Sequence, residues 1–298
     1  MPSAIRAQTA KKKRWGRCIK DSLKVLLGCM QILGVLFSFN VSWPGATQSI
    51  LEGSSMVIIN LDFFRTACYG MDGFKVRYLV LMAVPLLYLF VAALCTALAL
   101  ITHKTTGKMG RVTLDKAVNT VVAFLSLVYI SLCNAVLSFF TCLPNPSAPD
   151  TLADDRSVVC WSPEHLEVTW AVVLGLLLYV IGIPVVLLFS LWKASTQQHE
   201  ARWIVRSRFL TQAFRPGCHH WIVLLLARNL IINLIRVIFA FSVHLQLSAC
   251  ILLLAVFGVW QAIDRPWMMR VHTLLCGASY AVLSFMTALG FVFATSPV

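Results

Sequence analysis

The sequence of this 298-residue chain predicts a helical bundle built around residues 221–241, WIVLLLARNLIINLIRVIFAF. The stretch is long and apolar enough to cross a bilayer, because about 20 helical residues span a hydrocarbon core of about 30 Å. At about 100° per residue its polar side chains project from one side of a helix. Since a guanidinium that faces lipid costs at least about 3 kcal/mol, we expect neighbouring helices to shelter that side. The polar residues are Arg228, Asn229, Asn233 and Arg236.

The composition of the whole chain is typical of a membrane protein. Hydrophobic residues make up 59% of it and charged residues 12%, and apolar segments of spanning length recur along it. The sequence predicts an all-α bundle of seven transmembrane helices between a basic segment at 1–24 and a tail at 294–298, with an interfacial or re-entrant helix at about 46–60. The transmembrane domain covers 25–293, with spans at about 25–43, 78–101, 117–140, 168–191, 221–241, 247–263 and 271–293.

The distribution of charge predicts the orientation of these spans. Nineteen of the 25 Lys and Arg residues fall on one side of the seven-span order, and eight of the 12 acidic residues fall on the other. Because basic loops stay in the cytosol, we expect a cytosolic N-terminus and an external C-terminus, in the plasma membrane or an endomembrane. The same arrangement accounts for the net charge of +13, so no nucleic-acid partner is expected.

Polar side chains inside the spans are the candidates for a functional site. Arg228 is expected near mid-membrane and Arg236 near the outer end, and no Asp or Glu falls within a span. Asparagines, Gln31, Gln261, carbonyls, water or lipid phosphate must then serve as partners. Two interpretations stay open: a hydrated cavity where Arg228 meets an ion or a lipid headgroup, or a buried arginine that only fixes the bundle. The residues assigned to this polar interior are Arg228, Asn229, Asn233, Arg236, Asn119 and Asn134.

Pro184 predicts a bend in the fourth span. A proline has no N–H to donate to the carbonyl four residues earlier, which here belongs to Val180. Gly182 lies two residues before the proline. The pair Gly182 and Pro184 is a candidate hinge, and a static bend is the alternative.

Three of the ten cysteines, Cys68, Cys142 and Cys160, fall in segments predicted to be external. An external loop lies in an oxidising compartment, which favours a disulfide. We predict the pair Cys142–Cys160, because it would staple a loop between adjacent spans, with Cys68 as the alternative partner.

The sequence carries no pattern that predicts catalysis. It has no membrane-embedded pair of carboxylates, no set of ligands at metal spacing and no nucleophile with a base at useful spacing. We therefore expect neither an enzyme nor a bound metal or other cofactor.

Several segments together resemble a known family. They are, in chain order, KVLLGCMQ at 24–31 with Trp43-Pro44, LADDRSVVCW at 152–161, YVIGIP at 179–184, WIVLLLAR at 221–228 and Arg265-Pro266. Their order and spacing are similar to the C-terminal transmembrane region of TRP-like, polycystin-related proteins of protists and fungi, over nearly the whole chain from about residue 20. The resemblance implies an ion-channel type of membrane protein. The turn at 242–246 is too short for the re-entrant pore loop of TRP channels.

These observations support a TRP-like integral membrane protein that forms, or contributes to, a cation-permeable or lipid-associated pathway. Its expected partners are membrane lipids and either further copies of itself or the subunits of a larger membrane complex. The rival hypothesis is a non-conducting structural subunit, in which the polar residues only hold helices together. A third hypothesis, a lipid or small-molecule transporter, would be favoured by a closed cavity with bound lipid beside Arg228.

Overall fold

A computed structural model describes residues 2–39, 41, 43–55, 73–106, 111–145, 148–196 and 201–295. These residues are mostly helical, as predicted. A 3-10 turn, Ser138–Phe140, follows α4, and a π-helical segment, Leu176–Ile181, joins α6 to α7. The α-helices are α1 (Pro2–Phe37), α2 (Gly45–Ser55), α3 (Phe74–Thr106), α4 (Arg111–Leu137), α5 (Pro163–Leu166), α6 (Thr169–Gly175), α7 (Gly182–Thr196), α8 (Ala201–Arg206), α9 (Arg208–Thr211), α10 (Trp221–Ile238), α11 (Val243–Asp264) and α12 (Arg270–Thr295).

In the described parts of the chain, six helices are long and apolar enough to cross a membrane. The architecture is therefore that of a helical membrane protein, which agrees with the predicted class. The helical part of the first predicted span, 25–37, belongs to α1 and is not one of the six. The six helices are Phe74–Ala99, Leu114–Phe140, Pro163–Thr196, Trp221–Ile238, Val243–Asp264 and Arg270–Ala294.

A small β-hairpin departs from the purely α-helical expectation. Strands β1 (Cys142–Asn145) and β2 (Ala148–Leu152) pair antiparallel, with Cys142 opposite Leu152. Cys142 forms a disulfide with Cys160, so the predicted pairing is confirmed. The other proposed partner, Cys68, lies outside the described residues. The disulfide links the start of β1 to the turn that follows β2. The hairpin and this turn therefore form one cross-linked unit in the loop between α4 and α6.

Helices α1 and α12 run side by side. Near the start of α12, Nε2 of His272 lies 3.1 Å from the carbonyl oxygen of Cys18 in α1. At the other end, Trp43 packs on Gly290 so closely that a Cβ at residue 290 would come within 2.6 Å of the indole ring. The segment from Cys18 to Trp43 therefore covers the same height of the bundle as α12 does between residues 272 and 290.

One end of the bundle is closed by the connection 201–220. Arg206 of α8 forms an ion pair with Asp115 near the start of α4, with Nε and Oδ1 2.6 Å apart. The backbone N–H of Arg215 donates to the carbonyl of Pro266 in the α11–α12 turn at 2.8 Å. The connection thus ties the start of α4 to the turn before α12, and the disulfide hairpin lies at the opposite ends of these helices.

Buried apolar side chains of the described residues form two clusters. One lies among α1, α10, α11 and α12 and includes Ile32, Trp221 and Leu254. The other lies among α3, α4 and the helix from α6 to α7, and includes Tyr129 and Leu187. Helices α4 and α10 pack against each other and contribute to both clusters. The polar side of α10 therefore lies in the middle of the bundle.

Candidate functional site

The polar side of α10 is buried among other helices. The exposed fraction is 8% for Arg228, 1% for Asn233 and 2% for Arg236, and Asn229 is half-buried. Side chains this strongly polar remain in an apolar interior only when hydrogen bonds replace those lost to water. The partners of each group therefore decide what this part of the molecule can bind.

Arg228 is held by neutral groups. Its Nη1 donates to the hydroxyl of Tyr280 on α12 at 2.9 Å, and the guanidinium carbon lies 5.5 Å from the centre of the same ring. Its Nη2 and Nε both donate to Oδ1 of Asn229, at 2.8 and 3.2 Å. In the part of the chain that the structure describes, no carboxylate lies within ion-pair distance of this guanidinium. Its positive charge is therefore solvated by the protein but not neutralised.

Arg236, two turns further along α10, has a different environment. Its Nη1 donates to Oδ1 of Asn134 on α4 at 2.8 Å. Its Nη2 pairs with Oδ1 of Asp154 at 2.6 Å, although the side chain of Asp154 is 45% exposed and that of Arg236 only 3%. Asp154 follows β2 in the disulfide hairpin. The hairpin thus delivers a carboxylate to a buried arginine from outside the bundle.

The predicted polar residues do not form a single site. Asn233 donates to the carbonyl of Asn229 at 2.8 Å and links one turn of α10 to the next. Asn134 belongs with Arg236. Oδ1 of Asn119 instead accepts the backbone N–H of Phe209 at 2.8 Å, at the end of the bundle closed by 201–220. The structure therefore places Arg228 with Asn229 and Asn233, Arg236 with Asn134, and Asn119 apart from both.

Two partners of the arginines were not predicted from the sequence. Asp154 lies in a predicted external loop, and in the sequence it counts only as one of the acidic residues on that side of the membrane. Tyr280 lies in the last span with no distinguishing signal. These residues are 82 and 52 positions from the arginines they bind. Helical periodicity gives the direction of a side chain but not which distant residue meets it.

A cavity of about 110 Å³ lies beside Arg228, between α1, α4, α10 and α12. Gln31 of α1 lines it and donates to the carbonyl of Leu127 on α4 at 2.7 Å. Most other lining groups are apolar side chains. The polar lining residues are Lys24, Gln31, Ser126, Arg228, Asn229, Ser279 and Tyr280, and the cavity also meets the thiols of Cys29 and Cys276.

The candidate hinge has a specific partner on α4. The carbonyl of Val180, which Pro184 leaves without its helical donor, accepts the hydroxyl of Tyr129 at 3.1 Å. Just before the proline the helix is π-helical, and the N–H of Gly182 bonds the carbonyl of Leu177. A Cβ at Gly182 would lie 3.0 Å from that same oxygen, so glycine fits this close approach. The hydroxyl of Tyr129 on α4 thus satisfies the carbonyl that the proline leaves open, and a bend or movement about Gly182 and Pro184 stays a prediction.

Comparison with family models, with curated proteins and with solved structures found no match to this chain. The TRP-like resemblance therefore stays a prediction from the sequence. Function has to be inferred from the geometry of the polar interior and from the arrangement of the helices.

The first prediction concerns the hydrogen bond from the Tyr129 hydroxyl to the Val180 carbonyl. Replacing Tyr129 by Phe removes the hydroxyl and leaves the Val180 carbonyl buried without its donor, which we expect to lower the free energy of unfolding by about 1–3 kcal/mol. Thermal unfolding of the purified protein in neutral detergent measures this. Tyr88→Phe on α3 is the matched control, because the Tyr88 ring stacks on Phe124 at a centroid distance of 3.5 Å and keeps that contact. Equal losses in the two variants would contradict the role of the hydroxyl.

The second prediction concerns the carboxylate of the hairpin. Asp154→Asn leaves the guanidinium of Arg236 buried without a counter-charge. Since Asp154 is partly exposed, we expect a loss of about 1–2 kcal/mol of stability, which is less than the value of a fully buried pair. Asp150→Asn, on the exposed face of β2, is the control for the lost negative charge. An unfolding temperature unchanged by Asp154→Asn would show that the ion pair does not stabilise the fold.

Proposed function

We propose that this chain is a seven-span, TRP-like integral membrane protein that acts as a lipid-associated subunit of a membrane assembly. One observation carries the proposal: the polar interior is positively charged, and its charged groups are bound by side chains of other elements. Both charged groups that α10 places inside the bundle are arginines, and both bind side chains of other elements. A positively charged lining repels cations. The interior is therefore better suited to hold an anionic group than to pass a cation.

The packing of α1 supports a seventh crossing. From Val25 to Phe37 this helix is about 20 Å long at 1.5 Å per residue, and the packing of Trp43 on Gly290 carries the same segment to the far end of α12. It lies along α12, itself long and apolar enough to cross. Its outward side chains Leu23, Leu26 and Met30 are 63%, 46% and 40% exposed. Apolar side chains that are exposed on the outside of the bundle, alongside a membrane-spanning helix, are expected to contact lipid.

The two ends of the bundle support the proposed orientation. The disulfide Cys142–Cys160 lies at one end, and disulfides persist in oxidising compartments. The opposite end is basic, as expected for a cytosolic side under the positive-inside rule. In this orientation the N-terminus is cytosolic and the C-terminus is external. Basic residues near the cytosolic end are Lys20, Lys24, Lys116, Arg206, Arg208, Arg215, Arg265 and Arg270.

The third prediction tests this topology by glycosylation in a eukaryotic host. Gly53→Asn creates an Asn-Ser-Ser acceptor in α2, at an exposed position where a Cβ meets nothing within 4 Å. In this orientation α3 begins on the external side, so α2, which precedes it, is external and this variant gains a glycan. Asp155→Asn, which creates Asn-Arg-Ser on the disulfide hairpin, is the positive control, and Ala194→Asn, which creates Asn-Ser-Thr at the cytosolic end of α7, is the negative control. A glycan in the Ala194→Asn variant would contradict the orientation.

The fourth prediction separates the proposal from a cation channel. The purified chain in liposomes should give no K⁺ flux above that of protein-free liposomes, because the polar interior is positive and closed by hydrogen bonds. The measurement is release of a K⁺ gradient, with an added ionophore to show that the vesicles are intact. A cation-selective flux that depends on the protein would refute the proposal and restore the pathway hypothesis.

A further inference from the structure

The cavity beside Arg228 combines an unneutralised charge with an apolar wall. We propose that it is a binding site for the acid group of an anionic amphiphile, a carboxylate or a phosphate carried on an apolar chain, with Arg228 as the charge partner. The inference rests on the proposed function in that the bundle must lie in a lipid membrane. It goes further by naming the site and the chemical class of the lipid.

Two arginines on one helix differ in whether they have a counter-charge. Arg228 and Arg236 are both buried. The fold supplies Arg236 with the carboxylate of Asp154 at 2.6 Å, whereas the described protein partners of Arg228 are the hydroxyl of Tyr280 and the amide of Asn229. A buried charge without a counter-charge is strongly unfavourable. A bound anion would supply Arg228 with the counter-charge that Asp154 supplies to Arg236.

The guanidinium of Arg228 has more hydrogen-bond donors than its protein partners use. Arginine has five N–H donors in a planar fork, which matches the geometry of carboxylate and phosphate oxygens. The three hydrogen bonds of Arg228 in the described structure use its Nε once, its Nη1 once and its Nη2 once. One N–H remains on each terminal nitrogen. Arg228 lines the cavity, and in the proposed complex these two N–H groups donate to the acid group.

The lining of the cavity carries a net positive charge. Among the lining residues that the structure describes, the cations are Arg228 and Lys24, and none is Asp or Glu. Lys24 is already engaged, because its Nζ lies 2.9 Å from Oδ1 of Asp21 and 4.0 Å from the centre of the Phe209 ring. The charge left to a ligand is therefore that of one guanidinium. This favours a group with a single negative charge.

The rest of the cavity wall is mostly apolar. A fully hydrated inorganic anion would lose its water against this wall and regain few hydrogen bonds, whereas an acid group with an attached chain fills both the polar and the apolar part. At about 110 Å³, the cavity exceeds the space of a single water several times over. The apolar lining side chains are Val25, Ile32, Leu127, Phe209, Ala213, Phe214, Ile222, Leu225, Leu226, Trp267 and Leu283.

The experiment uses the full chain purified in neutral detergent and four probes: oleate, oleyl phosphate, oleyl alcohol and inorganic phosphate. Binding is measured by native mass spectrometry and by the shift of the unfolding temperature. We expect oleate or oleyl phosphate, or both, to bind and raise the unfolding temperature in a dose-dependent way. The stronger of the two identifies the acid group. Oleyl alcohol and inorganic phosphate should bind at least about tenfold more weakly. Oleyl alcohol lacks the negative charge that pairs with Arg228, and inorganic phosphate lacks the apolar chain that fits the cavity wall.

Two kinds of variant test the location of the site. Arg228→Gln should weaken binding of the acid amphiphile by about ten- to a hundredfold, and Arg228→Lys should recover part of it. Gly28→Leu retains the arginine and fills the cavity, since Gly28 lines it and a Cβ there meets nothing within 4 Å. Its matched control is Gly277→Leu on α12, which is equally open but lies outside the cavity. Gly28→Leu should abolish binding and Gly277→Leu should preserve it.

Three results would overturn the inference. They are equal binding of oleyl alcohol and oleate, binding of inorganic phosphate as tight as that of oleyl phosphate, and equal binding by the Gly28→Leu and Gly277→Leu variants. The outcome is independent of the flux measurement. A protein that conducts cations but binds oleate through Arg228 would refute the proposed function alone, and one that neither conducts nor binds an acid amphiphile would refute this inference alone.

Discussion

Helix α10 buries two guanidinium groups, and the surrounding helices pack so as to satisfy them. A positive charge in a low-dielectric interior needs dense hydrogen bonding and a counter-charge. The chain meets this need in two ways on one helix. Arg236 receives a carboxylate from the disulfide hairpin, and Arg228 receives a phenol hydroxyl and an amide. Helices α4 and α12 and the hairpin are thereby held around α10, and one of the two charges is left for a ligand.

Tyrosine hydroxyls perform a related task in the second apolar cluster. The hydroxyl of Tyr129 bonds the carbonyl of Val180 that Pro184 leaves open, at 3.1 Å. The hydroxyl of Tyr179 bonds the carbonyl of Met82 on α3 at 2.6 Å. Inside a membrane there is no water to satisfy a free carbonyl, so such groups must find donors within the protein. A helix with a proline bend can therefore remain well packed while its backbone departs from the regular α pattern.

The sequence predicted the helices and the buried side of α10 more fully than it predicted the site. Length, hydropathy and a repeat of 3.6 residues are properties of one segment and can be read without its neighbours. They did not separate Asn119 from Asn134, since both lie on the polar side of α4, yet one binds the backbone of Phe209 and the other binds Arg236. Nor did they show that Asp154, an exposed loop residue, closes an ion pair with a buried arginine.

The sequence alone predicts the helical membrane class and the polar side of α10, and it favours the disulfide Cys142–Cys160 over a pairing through Cys68, because each of these follows from local composition, local spacing or the compartment of a loop. The tertiary structure settles which arginine is neutralised, where the cavity lies and which donor reaches the Val180 carbonyl that Pro184 leaves open. Each of those features needs groups that are dozens of residues apart to meet within about 3 Å. Such meetings depend on how whole helices pack, and no single segment of the chain encodes that.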